Sequence, residues 1–136
     1  ALLHDITKTR SLETHERHDA SGGALLKELG FPRIAAIVEE HVIIRNLNLE
    51  GRLEEREIVY YADKRVMHDT IVTIEQRVHD LMERYGTSED IRNLILQNKG
   101  QVLAVERKIA SFLNTDLQDA LAGVNAINLI FPGERL

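Results

Sequence analysis

Cysteine and tryptophan are absent from the 136 residues, and proline occurs only twice. Without cysteine there is no disulfide, thiolate zinc site, iron–sulfur cluster or cysteine nucleophile, so any metal must be held by imidazole and carboxylate. The same absence fits a reducing compartment, and a cytoplasmic location is expected. No apolar run approaches the ~18–20 residues needed to cross a bilayer, and Ala1-Leu2-Leu3 is too short for the core of a signal peptide. A membrane partner is therefore not expected. Basic charge is also scarce: 17 Lys and Arg against 22 Asp and Glu leave a net charge of −5. A nucleic-acid partner is not expected either, because neutralising phosphates needs a basic face and no cluster of Lys and Arg supplies one.

What is present is apolar spacing of helical period, with eight glycines to punctuate it. An all-α fold is expected, with no convincing strand. The opening reads like the last turn of a helix that begins upstream, followed by a polar connector over 6–14. Helices are expected over 16–29, closed by Gly30, and over 32–42, opened by Pro32. Residues 46–51 read as a loop, and 53–67 and 73–85 as helices, the latter closed by Gly86. Thr87 and Ser88 before Glu89 and Asp90 form a helix-start signal, since hydroxyls accept the first amides and acids complement the dipole. The helix they open runs to 113; a short helix over 115–121 and an irregular tail over 125–136 complete the chain. Two parts follow: a core over 1–86, and a long helix with its tail over 87–136.

The informative residues are polar ones in phase with apolar stripes. His18 lies four residues before Gly22 on the face shared with Leu25, Leu26 and Leu29. His41 continues the stripe of Ile34, Ile37 and Val38, and Asp63 continues Val59, Ala62 and Val66. His4 and Asp5 directly follow Leu2 and Leu3. A carboxylate on an apolar face is expensive to desolvate unless it is paired or bound to a cation. Singly, each His is more simply a hydrogen-bonded core residue, and the alternative for Asp63 is a pair with Lys64 or Arg65, although neighbours one and two residues apart diverge on a helix. Together, three His and two Asp from four segments look like a convergent ligand set for Mn, Fe, Co, Ni or Zn, with Mg less favoured. His15, His68 and His79 lack such support.

The order of these residues resembles that of HD-domain metal-dependent phosphohydrolases. Leu2-Leu3-His4-Asp5-Ile6-Thr7-Lys8 is similar to the His-Asp signature, with Lys three residues after the Asp and Thr7 where Gly is common. His18-Asp19-Ala20-Ser21-Gly22-Gly23-Ala24 and Val38-Glu39-Glu40-His41 resemble the two segments that add further His, and Ile58 through Val66 resembles the late-Asp segment. The similarity spans 1 to about 85, and the family's first His would lie upstream of Ala1. The resemblance implies an HD-type helical bundle that hydrolyses a phosphoester or phosphoanhydride, of a nucleotide above all, by metal-activated water. It implies metal ligation by His4, Asp5, His18, His41 and Asp63, with Asp5 shared between two cations. Lys8 would act in catalysis and contact phosphate, with Arg65 a second phosphate contact whose alternative is a surface ion pair. Symmetrical dinucleoside tetraphosphate hydrolases share much of this pattern. A degenerate HD domain that binds a nucleotide or a protein without turnover is the rival from another class, although such domains usually lose the His-Asp pair or the late Asp.

The long helix extends roughly 39 Å at ~1.5 Å per residue. Its stripe at 91, 94, 95, 98, 102, 105, 109 and 112 has heptad-like spacing. Homo-oligomer contacts through this helix are expected, the alternative being a helix folded back over its own core.

Overall fold

A computed structural model describes residues 1–126, and they form an all-α fold. Seven helices are present among them: α1 (Lys8–Thr14), α2 (His18–Glu28), α3 (Pro32–Val38), α4 (Glu55–Arg65), α5 (Ile74–Tyr85), α6 (Glu89–Phe112) and α7 (Leu117–Ala126). Two short strands, β1 (Val66–Met67) and β2 (Thr70–Ile71), pair antiparallel between α4 and α5. No described helix is long and apolar enough to cross a membrane.

Local chemistry sets the helix ends. Gly30 takes φ +83°, the left-handed geometry that closes a helix and that L side chains resist. The Thr73 hydroxyl accepts from the Gln76 amide while the Gln76 side chain accepts from the Thr73 amide, a reciprocal cap on α5. Ser88 caps α6 through the Ile91 amide at 3.3 Å.

Four expectations are corrected. The segment 6–14 contains α1, which buries none of its residues and so leaves no apolar stripe to read. The helix expected to reach 67 stops at Arg65, where Val66 turns extended into the small hairpin, so strand is present. The last helix continues to Ala126 and takes in the start of the expected tail; residues 127–136 of that tail lie outside the described residues. Finally, the stripe of α4 is out of phase: Ala62 and Val66 are exposed, and the core face carries Glu57, Tyr60, Tyr61 and Lys64. Reading aliphatics as core misses a face built from tyrosines and paired ions.

The core has two parts. A small cluster of Leu26, Ala35 and Val38 joins α2 to α3. Gly22 allows their close approach, since a Cβ there would stand 3.1 Å from Val38 Cγ1 and 3.3 Å from Thr7 Oγ1. The larger cluster gathers Ile44, Tyr60, Tyr61, Ile74, Val102, Val105, Ile109 and Leu117. The C-terminal half of the α6 stripe is thus spent inside the chain, against α4 and α5, while Ile91, Leu94 and Phe112 remain exposed. The helix folds back over its own core at 102, 105 and 109, and that stretch is not a seam open to another copy.

Candidate metal centre

The first candidate residues are held by a turn. His4 and Asp5 lie in successive turns before α1, closed by the amides of His4, Ile6 and Lys8 on the carbonyls of Ala1, Leu3 and Asp5. Buried Thr7 fixes this turn to α2, since its hydroxyl donates to the His18 carbonyl at 2.9 Å and meets Ser21 Oγ at 2.8 Å. His18 is the first residue of α2, and His41 follows α3 with its ring fully buried. The His41 Nδ1–H donates to the Val38 carbonyl at 2.6 Å, and the His41 carbonyl accepts from Lys64 Nζ at 2.8 Å. Lys64, itself buried on α4, thereby ties the His41 turn to the helix that carries Asp63.

Asp5, His18 and His41 converge. His18 Nε2 and His41 Nε2 stand 3.2 Å apart, and Asp5 Oδ1 lies 3.3 Å from the first and 3.4 Å from the second. Ligand atoms about 2.1 Å from one ion are separated by roughly 3.0 Å in octahedral and 3.4 Å in tetrahedral coordination. The triangle has those dimensions, so this His/Asp cluster can hold a metal ion. Asp5 Oδ1 is also buried and accepts no hydrogen bond. With the Nδ1–H of neutral His41 committed to Val38, its Nε2 presents a lone pair, the tautomer that metal ligation requires.

His4 and Asp63 form a neighbouring pair rather than part of the triangle. His4 Nε2 is 3.3 Å from Asp63 Oδ1 and 3.6 Å from Asp5 Oδ2, with His4 Nδ1 turned to the Ala1 carbonyl. Here the charges are already compensated. Lys8 Nζ donates to Asp5 Oδ2 at 2.7 Å, and Lys64 Nζ donates to Asp63 Oδ2 at 2.6 Å. The pairing of Asp63 with its own neighbour therefore does occur, because the four-carbon stem of Lys64 lets its ammonium curl back to residue 63. The two oxygens of Asp5 thus differ: Oδ2 is paired with Lys8, and Oδ1 is left facing the imidazoles.

Electrostatics follows this division. Burial lowers the pKa of His18, and the adjacent His41 lowers it further. Burial also lowers His41, outweighing the support of the Val38 carbonyl. Both rings are held neutral and ligand-competent. The hydrogen bond to Asp63 raises His4 against the opposing effect of burial. Burial pushes Asp63 up, but His4 and Lys64 outweigh it and leave this carboxyl far below its ordinary range. Asp5 is likewise raised by burial and brought below its usual value by Lys8, His4 and His18.

The remaining candidates separate. Lys8 stands beside Asp5 at the cavities described below, with its side chain half exposed. Arg65 does not reach the site. Its side chain is buried on the opposite side of α4, where it donates to the Val72 carbonyl at 2.7 Å and to Tyr61 Oη at 2.5 Å, with Glu106 and Gln118 at 3.3 Å. Its expected contact with phosphate is corrected to a structural role, since the next residue after buried Lys64 on this helix also turns inward. His79 is exposed beside Glu83 on α5. Arg77 is the residue sequence reasoning missed: it lies on α5, outside the recognised segments, and lines both cavities at Asp5. The signal it carries is a charged side chain three residues after Ile74 and four before Leu81, at the edge of the apolar stripe of α5.

Two cavities of about 450 and 400 Å³ flank the site and share Asp5, Lys8, Asp63, Arg77 and Tyr85 in their walls. The first extends toward Val59, Met67, His68 and Arg84; the second runs under α6 along Leu12, Val42, Ile43, Leu81, Leu94 and Ile95. Val59, Ala62 and Val66 thus line a cavity beside Asp63 rather than the core. No protein-family model matches the chain, and neither a curated protein nor a solved structure matches it.

Proposed function

We propose that the chain is an HD-type metal-dependent phosphohydrolase whose substrate is a small phosphoester or phosphoanhydride, a nucleotide above all. The observation that carries this reading is the buried, unpartnered Asp5 Oδ1 facing two imidazole nitrogens at metal-ligand spacing. A buried carboxylate oxygen without a donor is unfavourable in isolation and favourable beside a cation. Imidazole in the set selects a transition metal such as Mn, Fe, Co, Ni or Zn over Mg. Asp5, His18 and His41 would hold one ion; His4 and Asp63, with the second oxygen of Asp5, would hold another once Lys8 gives way. When bound, such a cation makes water acidic enough to serve as a nucleophile near neutral pH and stabilises charge on phosphoryl oxygens.

The chain's own residues supply the rest. Lys8 stands 2.7 Å from Asp5 on the cavity side, where its ammonium can move from the carboxylate to a phosphate oxygen without leaving α1. Lys64 holds Asp63 ionised and fixes the His41 turn, which positions ligands without touching substrate. The cavity under α6 offers apolar walls for an organic group next to the phosphate position. Hydrolysis of nucleotides and of a generic phosphodiester by the Mn(II)-loaded chain tests the reading. Turnover that disappears in Asp5→Ala supports it; equal turnover in that variant at equal metal loading overturns it.

A further inference from the structure

Among the described residues two side-chain atoms are buried without a hydrogen-bond partner, Asp5 Oδ1 and Arg77 Nε, and they belong to residues that share cavity walls. One is an acceptor and the other a donor, and Asp5 and Arg77 line both cavities together. Arg77 is anchored at one nitrogen only, Nη1 donating to Asp80 at 3.1 Å. Asp80 is shared with Arg84 Nε at 2.8 Å, so a single carboxylate serves two guanidinium groups and the pair keeps a net positive charge. With four-fifths of its side chain buried, Arg77 holds its Nε donor out of reach of solvent. A buried donor left unsatisfied costs about 1–3 kcal/mol, more when it is charged.

Resting on the metal reading above, we infer that Arg77 and the cation at Asp5 together clamp one phosphoryl group, with the organic part of the substrate lying along the apolar wall under α6. A phosphoryl oxyanion answers both unsatisfied atoms at once: the cation it ligates neutralises Asp5 Oδ1, and its other oxygens accept from Arg77. The planar guanidinium suits this because it donates in a fixed fork that matches phosphate. Lys8, at the same wall, adds a third positive group for a dianion. The cavity of about 400 Å³ beyond it is lined by Leu12, Val42, Ile43, Leu81, Leu94 and Ile95, with Asn98 and Ser11 as polar points. That lining suits a flat, largely apolar group with a few hydrogen-bonding edges, as in a nucleoside. The substrate class is therefore a phosphate ester of a nucleoside-sized group, with Arg77 setting the preference for phosphate and the α6 wall the preference for the organic part.

Calorimetric titration of the full chain with Mn(II), and then of the Mn(II)-loaded chain with inorganic phosphate, AMP and adenosine, tests this without relying on turnover. Arg77→Met, which keeps the aliphatic stem, is expected to weaken phosphate and AMP by at least about tenfold while Mn(II) affinity stays within about threefold. Arg77→Lys recovers part of the loss, because an ammonium keeps the charge without the fork. Leu94→Asp, at an exposed position, weakens AMP and leaves phosphate unchanged. Phosphate affinity in Arg77→Met equal to wild type overturns the inference and leaves the metal reading standing, as does a wild type that binds Mn(II) but no phosphate. Phosphate binding that depends on Arg77 in a chain unable to bind Mn(II) keeps the Arg77 contact and overturns the metal reading. An Arg77→Met chain that fails to fold makes the residue structural and also overturns the inference.

Discussion

Two polar clusters of this molecule are built on opposite principles. On the core side of α4, Lys108 Nζ reaches both oxygens of Glu57 at 2.7 and 2.8 Å and the carbonyls of Asn48 and Arg52 at 2.7 and 2.8 Å. Glu57 also accepts from the Glu54 amide, so this cluster is neutral and fully paired. Around Asp5 a carboxylate oxygen without a hydrogen-bond partner faces the ligand atoms of two imidazoles. Both clusters hold buried polar atoms, and burial alone does not distinguish a functional group from a structural one. The distinction lies in satisfaction: the Lys108 cluster has nothing left to bind, and the Asp5 cluster has.

Breaking the satisfied cluster gives the largest effect. Glu57→Ala leaves a buried ammonium unpaired and is expected to cost about 3–5 kcal/mol in urea denaturation, with the metal affinity of the folded fraction retained. Asp5→Ala should do the reverse. Its metal-free stability stays within about 1 kcal/mol of wild type, because the lost pair with Lys8 is half exposed. Its affinity for Mn(II) falls by a factor of about 100 or more, as expected for loss of the ligand shared by the cluster. A stability loss in Asp5→Ala as large as that in Glu57→Ala would erase the contrast. Arg65→Met belongs with the structural group. It should lower stability by about 1–3 kcal/mol through the unpaired Val72 carbonyl and the lost contacts to Tyr61 and Glu106, with phosphate affinity unchanged by titration. The smallest effect is that of Ser88→Ala, which removes one cap from α6 and is expected to cost about 1 kcal/mol with no change at the metal site.

The same contrast explains what the sequence made legible. Capping and stop signals work through local chemistry, so Gly30, Gly86 and Ser88 mark helix ends that the structure contains. Helix α1 was illegible because Lys8–Thr14 buries nothing, and helical period is visible only where one face is apolar. On α4 the aliphatic residues Val59, Ala62 and Val66 suggested a core stripe, whereas the core took Tyr60 and Tyr61 with Glu57, Lys64 and Arg65 as satisfied polar residues. Asp63 was singled out by that misphased stripe and nevertheless lies at the site, on a cavity wall. His18 follows from periodicity on α2, and His41 was placed by extending the α3 stripe to 42, although that helix stops at Val38 and His41 sits in the turn after it; the partners of both were out of reach. The Lys64 bond to the His41 carbonyl and the turn of Arg65 away from the site depend on packing between segments more than twenty residues apart in one case and on the hairpin after α4 in the other. Arg77 lay beyond reach for the same reason: nothing within α5 indicates that α5 brings it to Asp5.

The central claim is that Asp5, His18 and His41 bind a divalent transition metal, and equilibrium dialysis of the folded chain against Mn(II) or Zn(II), with metal content measured at neutral pH, tests it most directly. The account predicts at least one retained equivalent in the wild type, none in Asp5→Ala, and release of the metal as acidification protonates the imidazoles, which burial keeps neutral down to below their ordinary range. A folded wild-type chain that retains no metal, or that retains it equally when Asp5 is alanine, contradicts the account.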